Sequence, residues 1–204
     1  MADFKLCVLA SGGGTNLQAI IDKLHGSRGI TVAGVASDKP EAKALRRARN
    51  ADIETAVFVR EEYADREARD EAIGDWVERI GTELIVLAGY MQLLSASFVA
   101  RFRGRIINVH PALLPSFPGL DAVQQALDHG VKTTGVTVHF VDEGVDSGPI
   151  ILQQAIEVPP DREWQTLEDA IHATEHALYP EAIRLIAEGR VTIDPSNPRI
   201  VSIL

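Results

Sequence analysis

The segment that most limits the fold of this chain is residues 83–88, Glu-Leu-Ile-Val-Leu-Ala, in which a continuous Leu-Ile-Val-Leu run has no polar face. A strand of this kind is covered on both sides, as the central strands of parallel sheets are. Neighbouring parallel strands are joined by crossover connections, which are usually helices. The segment therefore predicts an α/β protein.

Strand and helix patterns alternate along the chain, as a helix-covered parallel sheet requires. We expect strands over residues 5–10, 30–36, 54–59, 83–88, 105–110, 136–141 and 149–158. We expect helices over residues 17–24, 40–49, 61–80, 95–103, 122–129 and 166–188. The hydroxyl of Thr166 is expected to cap the last helix, and Pro180 is expected to kink it. The pattern predicts a Rossmann-like, three-layer α/β/α fold, mostly parallel, with an antiparallel hairpin towards the C-terminal end.

Composition narrows the class of protein. A chain of 204 residues that is 46% hydrophobic can build one core, so we expect a single domain over residues 1–204. A net charge of -9 argues against binding to duplex nucleic acid. No segment approaches the roughly 20 apolar residues that cross a bilayer, and no signal peptide is apparent. The lone cysteine, Cys7, rules out an internal disulfide and is expected to be buried. We therefore expect a cytoplasmic protein that binds small molecules, without nucleic acid or membrane partners.

The first candidate site lies at a strand end. Asn108 and His110 are two residues apart in an extended segment, so their side chains point to the same face. Pro111 stops the strand there, and ligands of open α/β sheets bind at the carboxyl ends of strands. Residues 112–119 follow as a loop in which the Leu114–Pro115 peptide is expected to be cis. The alternative is a hydrogen-bonded edge pair without chemistry.

The second candidate site is the turn Ser-Gly-Gly-Gly-Thr-Asn at residues 11–16, between the first strand and the first helix. A helix N-terminus offers free backbone N–H groups and a favourable dipole, so this turn is expected to hold a phosphate. It lacks the lysine of a Walker A loop, and Leu17 replaces the third glycine of a dinucleotide fingerprint. That favours a monophosphate over ATP or NAD. A tight turn that needs positive φ is the alternative.

Two further clusters could bind metals. Residues 142–148 contain spaced acids and glycines, as calcium loops do. However, Gly144 stands where a calcium loop needs an acid or an asparagine, and Ser147 stands where it needs a glycine. His172 and His176 are spaced like zinc ligands, yet no third ligand is evident, so a polar helix face is favoured. We expect no metal. For His139 the alternatives of a site residue and a satisfied core histidine stay open.

These motifs together resemble a known family. The resemblance rests on residues 11–16, 87–91, 108–111, 113–119, 138–141, 146–149 and 174–177. They are similar to the phosphoribosylglycinamide formyltransferases, the folate-dependent transformylases of purine synthesis. Related transformylases that act on other acceptors or on water carry an extra domain, and we expect none here. The segment from residue 194 to residue 204 matches no motif of the family.

The resemblance implies that a formyl group passes from 10-formyltetrahydrofolate, a co-substrate, to the amine of glycinamide ribonucleotide. It implies catalytic roles for Asn108 and His110, which would hydrogen-bond the tetrahedral oxyanion, and for Asp146, which would orient the imidazole. A carboxylate beside a histidine favours its protonated, donating form. The implied partners are small molecules, and the protein is expected to be a monomer or a homodimer.

The resemblance also implies binding residues. The nucleotide would be bound by Gly14, Thr15, Asn16, His172, Ala173, Thr174 and Glu175. The folate would be bound by Arg66, Met91, Gln92, Leu93, Leu94, Asn108, Asp142, Glu143, Gly144, Val145 and Asp146. Gln92 and Ser116 depart from the family, since some members carry arginine and lysine there. Two alternatives stay open, a formyltransferase of another acceptor such as a sugar nucleotide or tRNA, and a non-catalytic module that binds phosphosugars.

Overall fold

A computed structural model describes residues 3–204 of the chain. The chain forms two compact units, the first ending at Ile107 and the second running from Asn108 to Leu204. The single domain expected from the sequence stays a prediction. Within residues 3–204 the structure contains no helix with the length and apolar character that a bilayer crossing requires.

The first unit alternates strands and helices as expected. Its elements are β1 (Phe4–Leu9), α1 (Thr15–Leu24), β2 (Ile30–Ser37), α2 (Lys43–Asn50), β3 (Glu54–Val57), a 3-10 turn (Arg60–Glu62), α3 (Arg66–Arg79), β4 (Leu84–Leu87), α4 (Ala96–Arg101) and the start of β5 (Ile106–His110). The second unit contains the rest of β5, then α5 (Ala122–Asp128), β6 (Thr133–Phe140), β7 (Ile150–Glu157), α6 (Trp164–Ala187), β8 (Val191–Ile193) and β9 (Val201–Ile203).

The strands confirm the predicted fold class. In the first unit β1 pairs in parallel with both β2 and β4, and β2 pairs in parallel with β3. In the second unit β6 and β7 form the antiparallel hairpin. The strand order in the first unit is β3-β2-β1-β4, and in the second unit β6 lies beside β7. The fold is Rossmann-like, with a mostly parallel sheet.

The apolar run that predicted this architecture is buried along its whole length. All four residues of β4 are buried, as a strand covered on both sides requires. Cys7 in the neighbouring β1 is fully buried, which confirms its expected place in the core. Burial raises the pKa of its thiol to about 12, so this cysteine is a packing residue and not a nucleophile.

Two helices begin later than their sequence patterns predicted. The helix expected from residue 40 begins at Lys43, and Pro40 lies in the turn before it. The helix expected over 61–80 is a 3-10 turn followed by α3, because the side chain of Asp65 accepts a hydrogen bond from Ala68 N and starts a new helix there. Arg69 and Asp70 are buried in α3 together with its apolar residues.

The C-terminal part of the chain differs from the sequence-based expectations at two points. Helix α6 begins at Trp164, so Thr166 lies inside it, and the Thr166 hydroxyl donates to Asp161 Oδ2 instead of capping the helix. Pro180 lies inside α6, which continues to Ala187. Beyond α6, strands β8 and β9 pair in an antiparallel hairpin that the sequence did not predict. Strands of three residues are too short to show a periodic pattern.

The glycine turn is shaped by the packing of α2 against it. Gly14 has φ 70° and directly precedes α1. A Cβ atom on Gly14 would lie 2.8 Å from Ala44 Cα, so the position needs glycine both for its backbone angle and for its neighbour. Ala44 N donates to Gly12 O at 3.1 Å, which holds the start of α2 on the turn. The turn is therefore a rigid part of the first unit.

The Gly14→Ala variant should be less stable than the wild type by roughly 2–4 kcal/mol, because it adds left-handed strain to a clash with Ala44. Gly12→Ala is the matched control, since a Cβ at Gly12 meets no atom within 4 Å. Urea unfolding of the two variants measures the difference. Equal stability of the two variants would contradict this account of the turn.

Candidate functional site

Strand β5 ends with two polar side chains, as the sequence predicted. Ile107 and Val109 are buried, Asn108 is half-buried, and His110 is only 4% exposed. The loop that follows contains the predicted cis peptide, Leu114–Pro115.

Both ring nitrogens of His110 face hydrogen-bond acceptors. Nδ1 lies 3.3 Å from Asp146 Oδ2, and Nε2 lies 2.8 Å from the carbonyl oxygen of Phe117. A neutral imidazole can donate to one of these oxygens, whereas the doubly protonated ring can donate to both. The ring of His110 is therefore held between two acceptors and can donate a hydrogen bond from either nitrogen.

Asp146 connects the loops of this site. Its Oδ2 accepts a hydrogen bond from Gly119 N at 2.8 Å, and its Oδ1 accepts one from Asn108 Nδ2 at 3.4 Å. Its Oδ1 also lies 3.6 Å from His139 Nε2. Partial burial raises the pKa of the Asp146 carboxyl, but the hydrogen bonds of His139 and Gly119 and the charge of His110 outweigh it and hold the pKa below its ordinary value. Asp146 is therefore a carboxylate over the physiological pH range.

His139 belongs to the same cluster, which the sequence left undecided. Its Nδ1 lies 2.8 Å from Phe140 O, and its Nε2 lies 3.4 Å from Asn108 Nδ2. The ring is 2% exposed, so it is a buried histidine and also a partner of the site. The signal in the sequence was its place near the end of β6, the strand before the acidic loop.

The acidic loop is held by its own side chains. Asp142 Oδ1 accepts hydrogen bonds from the hydroxyl of Ser147 at 2.6 Å and from Gly144 N at 3.0 Å. This turn carries Asp146 at its far end, where the residue has φ 50°. Between them Val145 is 58% exposed, a large apolar side chain that faces solvent. Residues 142–146, expected to bind folate, thus form one turn whose last residue reaches His110.

In the first unit, the residues expected to bind a phosphate lie where the sequence placed them. Gly14 precedes α1, and Thr15 and Asn16 form its first turn. The sequence offered no cation for this turn, but Arg47 of α2 supplies one. Its Nε donates to Gly13 O at 2.9 Å, and its Nη1 donates to Gln18 Oε1 at 3.1 Å. Arg47 is far from the turn in sequence, and only the packing of α2 brings it there.

Four of the five folate residues expected in the first unit line one cavity. The cavity has a volume of about 280 Å³ and is lined by Arg60, Arg66, Arg69, Met91, Gln92 and Leu93. Met91 and Leu93 are 62% and 66% exposed. Met91 N donates to the hydroxyl of Ser11 at 2.8 Å, which ties this segment to the glycine turn. Leu94 follows it and is partly buried.

On α6 the residues expected to bind the nucleotide have different surroundings. Glu175 is 5% exposed, and the hydroxyl of Thr174 donates to Ala170 O at 2.9 Å within the helix. Ala173 is exposed and His172 is half-buried. The rings of His172 and His176 stack with centroids 6.1 Å apart. Over residues 3–204 we find no group of three or more histidine, cysteine or acidic side chains arranged to hold a metal ion.

The sequence matches a family model described as formyl transferase over residues 4–183. The chain belongs to the formyl transferase family. This confirms the resemblance drawn from the motifs of the glycine turn and the Asn108–His110 strand.

Individual members of the formyl transferase family are similar to this chain over most of its length. The phosphoribosylglycinamide formyltransferase of Haemophilus influenzae is 43% identical over 190 residues, 93% of this chain and 90% of that protein. The enzyme of the same name from Bacillus subtilis is 44% identical over 181 residues, 88% of this chain and 93% of that protein. The crystal structure of glycinamide ribonucleotide transformylase 1 from Symbiobacterium toebii superposes with a TM-score of 0.94 at 48% identity, covering 98% of this chain and 94% of that one.

The His139→Leu variant should raise the pKa of the Asp146 carboxyl, because the hydrogen bond of His139 is the largest influence that lowers it. A carboxyl with a lowered pKa stabilises the fold above the unfolded value of about 3.9, and this contribution is lost as the pH falls through the lowered value. The variant should therefore lose more stability at neutral pH than at pH 3.

Carbon-13 NMR titration of labelled Asp146 measures the pKa directly. His129→Leu is the matched control, because the ring of His129 contacts Gln125 O in the same unit and is absent from the Asp146 cluster. A titration midpoint for Asp146 that is the same in both variants would show that His139 does not set the pKa.

Proposed function

We propose that this chain transfers the formyl group of 10-formyltetrahydrofolate to the amine of glycinamide ribonucleotide, giving formylglycinamide ribonucleotide and tetrahydrofolate. The observation that carries the proposal is the cluster of Asn108, His110 and Asp146 at a strand end in a formyl transferase family member. The names of the relatives that match nearly the full chain support the acceptor.

The reaction develops one negative charge on an oxygen atom and transfers one proton. The amine attacks the formyl carbon, its C–N bond forms, and the carbonyl oxygen becomes an oxyanion. Collapse breaks the bond between the formyl carbon and folate nitrogen, which takes up a proton as the attacking amine loses one. Catalysis therefore needs N–H donors for the oxyanion and a group that carries a proton.

The cluster offers both functions. The contacts of Asn108 Nδ2 to Asp146 and His139 are long, at 3.4 Å each, so they are weak and the amide can turn to a developing oxyanion. The ring of His110 is the proton carrier, and Asp146 orients it through Nδ1. Asp146 is a positioning residue, because it acts through His110.

Substrate binding rests on the chemistry of each segment. In the first unit, the backbone N–H groups of residues 13–16 are proposed to bind the nucleotide phosphate, with Arg47 as a nearby cation. The exposed apolar side chains of Met91 and Leu93 are proposed to contact the folate, with Arg66, Gln92 and Leu94 in the same segment or cavity. In the second unit, His172, Ala173, Thr174 and Glu175 are proposed for the nucleotide and residues 142–146 for the folate.

One assay tests the proposal against the two alternatives. The protein is incubated with 10-formyltetrahydrofolate and, separately, with glycinamide ribonucleotide, an amino sugar nucleotide or methionyl-tRNA, and the release of tetrahydrofolate is followed. Release with glycinamide ribonucleotide alone is the expected result. Release with another acceptor would reassign the substrate, and no release with any amine would favour a module that only binds phosphosugars.

Asn108→Ala and His110→Ala should each lower kcat by about a hundredfold or more, because each removes a donor that acts only in the transition state. The KM values of both substrates should change little. Steady-state kinetics at several pH values provide the measurement. A loss that appears in KM with kcat intact would mean that these groups bind the ground state.

The double variant His110→Ala with Asp146→Asn should be little worse than the worse single variant, because Asp146 acts through His110. The comparison uses kcat of the two single variants and the double variant. Losses that multiply would assign Asp146 a role independent of His110.

Gly13→Val should raise the KM of the nucleotide by roughly tenfold or more, as the loss of a hydrogen bond to a charged group would. A Cβ on Gly13 meets no atom within 4 Å, so the variant should fold, and its side chain occupies space beside the backbone N–H groups of the turn. The KM of the folate should be unchanged. A parallel rise of both KM values would show a general disturbance of the protein.

A further inference from the structure

Gln92 stands where some family members carry arginine. The oxygen and the nitrogen of its side-chain amide are both hydrogen-bonded within the first unit. Its Oε1 accepts a hydrogen bond from Arg69 Nη1 at 3.1 Å, and its Nε2 donates to Asp38 Oδ2 at 2.9 Å. Both polar atoms of the Gln92 amide thus bond to other residues of the protein.

Arg69 is the centre of this arrangement. Its Nε and Nη2 donate to Asp70 Oδ1 at 3.1 and 2.9 Å, and Nη2 also lies 3.4 Å from Leu93 O. The side chains of Arg69 and Asp70 are 2% and 1% exposed. Asp70 Oδ2 in turn accepts from Ser95 N, so the ion pair holds both ends of the segment between Gln92 and Ser95. A buried ion pair that is hydrogen-bonded in this way fixes its surroundings in one geometry.

We propose that Arg69 is a positioning residue of segment 91–95, which it holds through the Gln92 side chain and the Leu93 carbonyl. This inference rests on the proposed function, in which that segment binds the folate. Held in this way, the segment turns Gln92 towards Asp38 and presents the exposed side chains of Met91 and Leu93. Gln92 then acts by shaping the folate site and not by contacting the folate.

The geometry also argues against a purely electrostatic role for Arg69. Its guanidinium is neutralised by Asp70 at 2.9 Å and is almost fully buried, so little of its charge reaches a ligand. Beside Gln92, the planar fork of Arg69 reaches Asp70, Gln92 and Leu93 at once. A lysine has the same charge but cannot reproduce this fork.

A swap of the two side chains preserves the hydrogen-bonded path from Asp70 to Asp38 and loses the contact with Leu93 O, which at 3.4 Å is the longest contact of Arg69. In the double variant Arg69→Gln with Gln92→Arg, the arginine at position 92 can donate to Asp38 and to the amide oxygen at position 69. The amide nitrogen at position 69 can still donate to Asp70. Among residues 3–204, no group donates a hydrogen bond to Asp38 Oδ1. This oxygen can therefore accept a hydrogen bond from the relocated guanidinium.

The test begins with the wild-type assay on 10-formyltetrahydrofolate and glycinamide ribonucleotide. Arg69→Gln and Arg69→Lys should each raise the KM of the folate about tenfold, the effect of losing a hydrogen bond to a charged group, with kcat and the nucleotide KM unchanged. The swap should restore the folate KM. The Kd of tetrahydrofolate, measured by calorimetry, should follow the same order without depending on turnover.

Arg79→Gln is the matched control, because Arg79 lies on the same helix and pairs with Glu54 on an exposed surface. It should leave all three kinetic constants unchanged. Thermal unfolding of each variant checks folding, since an unpaired Asp70 in the core is costly. If the single Arg69 variants do not fold, the swap and Gln92→Leu decide the matter, with wild-type folate KM expected for the first and a raised value for the second.

Three results would overturn the inference. An unchanged folate KM in folded Arg69→Gln removes the positioning role. Wild-type folate binding by Arg69→Lys assigns the effect to charge. A raised folate KM in the folded swap variant shows that the Gln92 side chain itself meets the ligand. Absence of formyl transfer by the wild type is a separate outcome, which refutes the proposed function itself.

Discussion

The candidate site depends on one carboxylate, that of Asp146. It accepts a hydrogen bond from Gly119 N, lies 3.3 Å from His110 Nδ1 and reaches both Asn108 and His139. These groups come from strand β5, from the loop that follows it and from strand β6, all in the second unit. A charge that is half-buried has to be compensated by donors, so the same bonds that satisfy the carboxylate also fix the geometry of the histidine. Structure and proposed catalysis therefore share one set of interactions.

The first unit uses the same principle at two other places. Arg47 satisfies the carbonyl of Gly13 and keeps the glycine turn open towards its N–H groups. Arg69 donates hydrogen bonds to the Asp70 carboxylate, the Gln92 amide and the Leu93 carbonyl, and so supports segment 91–95. In both cases an arginine on a helix shapes a loop by hydrogen bonds to its backbone or side chains. The loops proposed to bind substrates are thereby preorganised, which reduces the entropy lost on binding.

Sequence patterns succeeded where the signal is local and periodic. The apolar run of β4, the alternation at Asn108 and His110, and the cis peptide before Pro115 were all read correctly from neighbouring residues. They failed where the structure depends on a helix cap or on a residue that is distant in the sequence. The start of α3 depends on one side-chain bond of Asp65, and the burial of Arg69 depends on Asp70, Gln92 and Leu93.

The sequence by itself determined the fold class and the pairing of Asn108 with His110 on one face of a strand, because strand periodicity is a local property. Asp146 was added to this pair by the family resemblance. Only the tertiary structure decided which groups those residues meet. The position of His139 beside Asp146, the cation that Arg47 brings to the glycine turn, and the engagement of Gln92 by Arg69 all join residues far apart in the chain. Such contacts are set by the packing of whole elements, and no window of the sequence contains both partners.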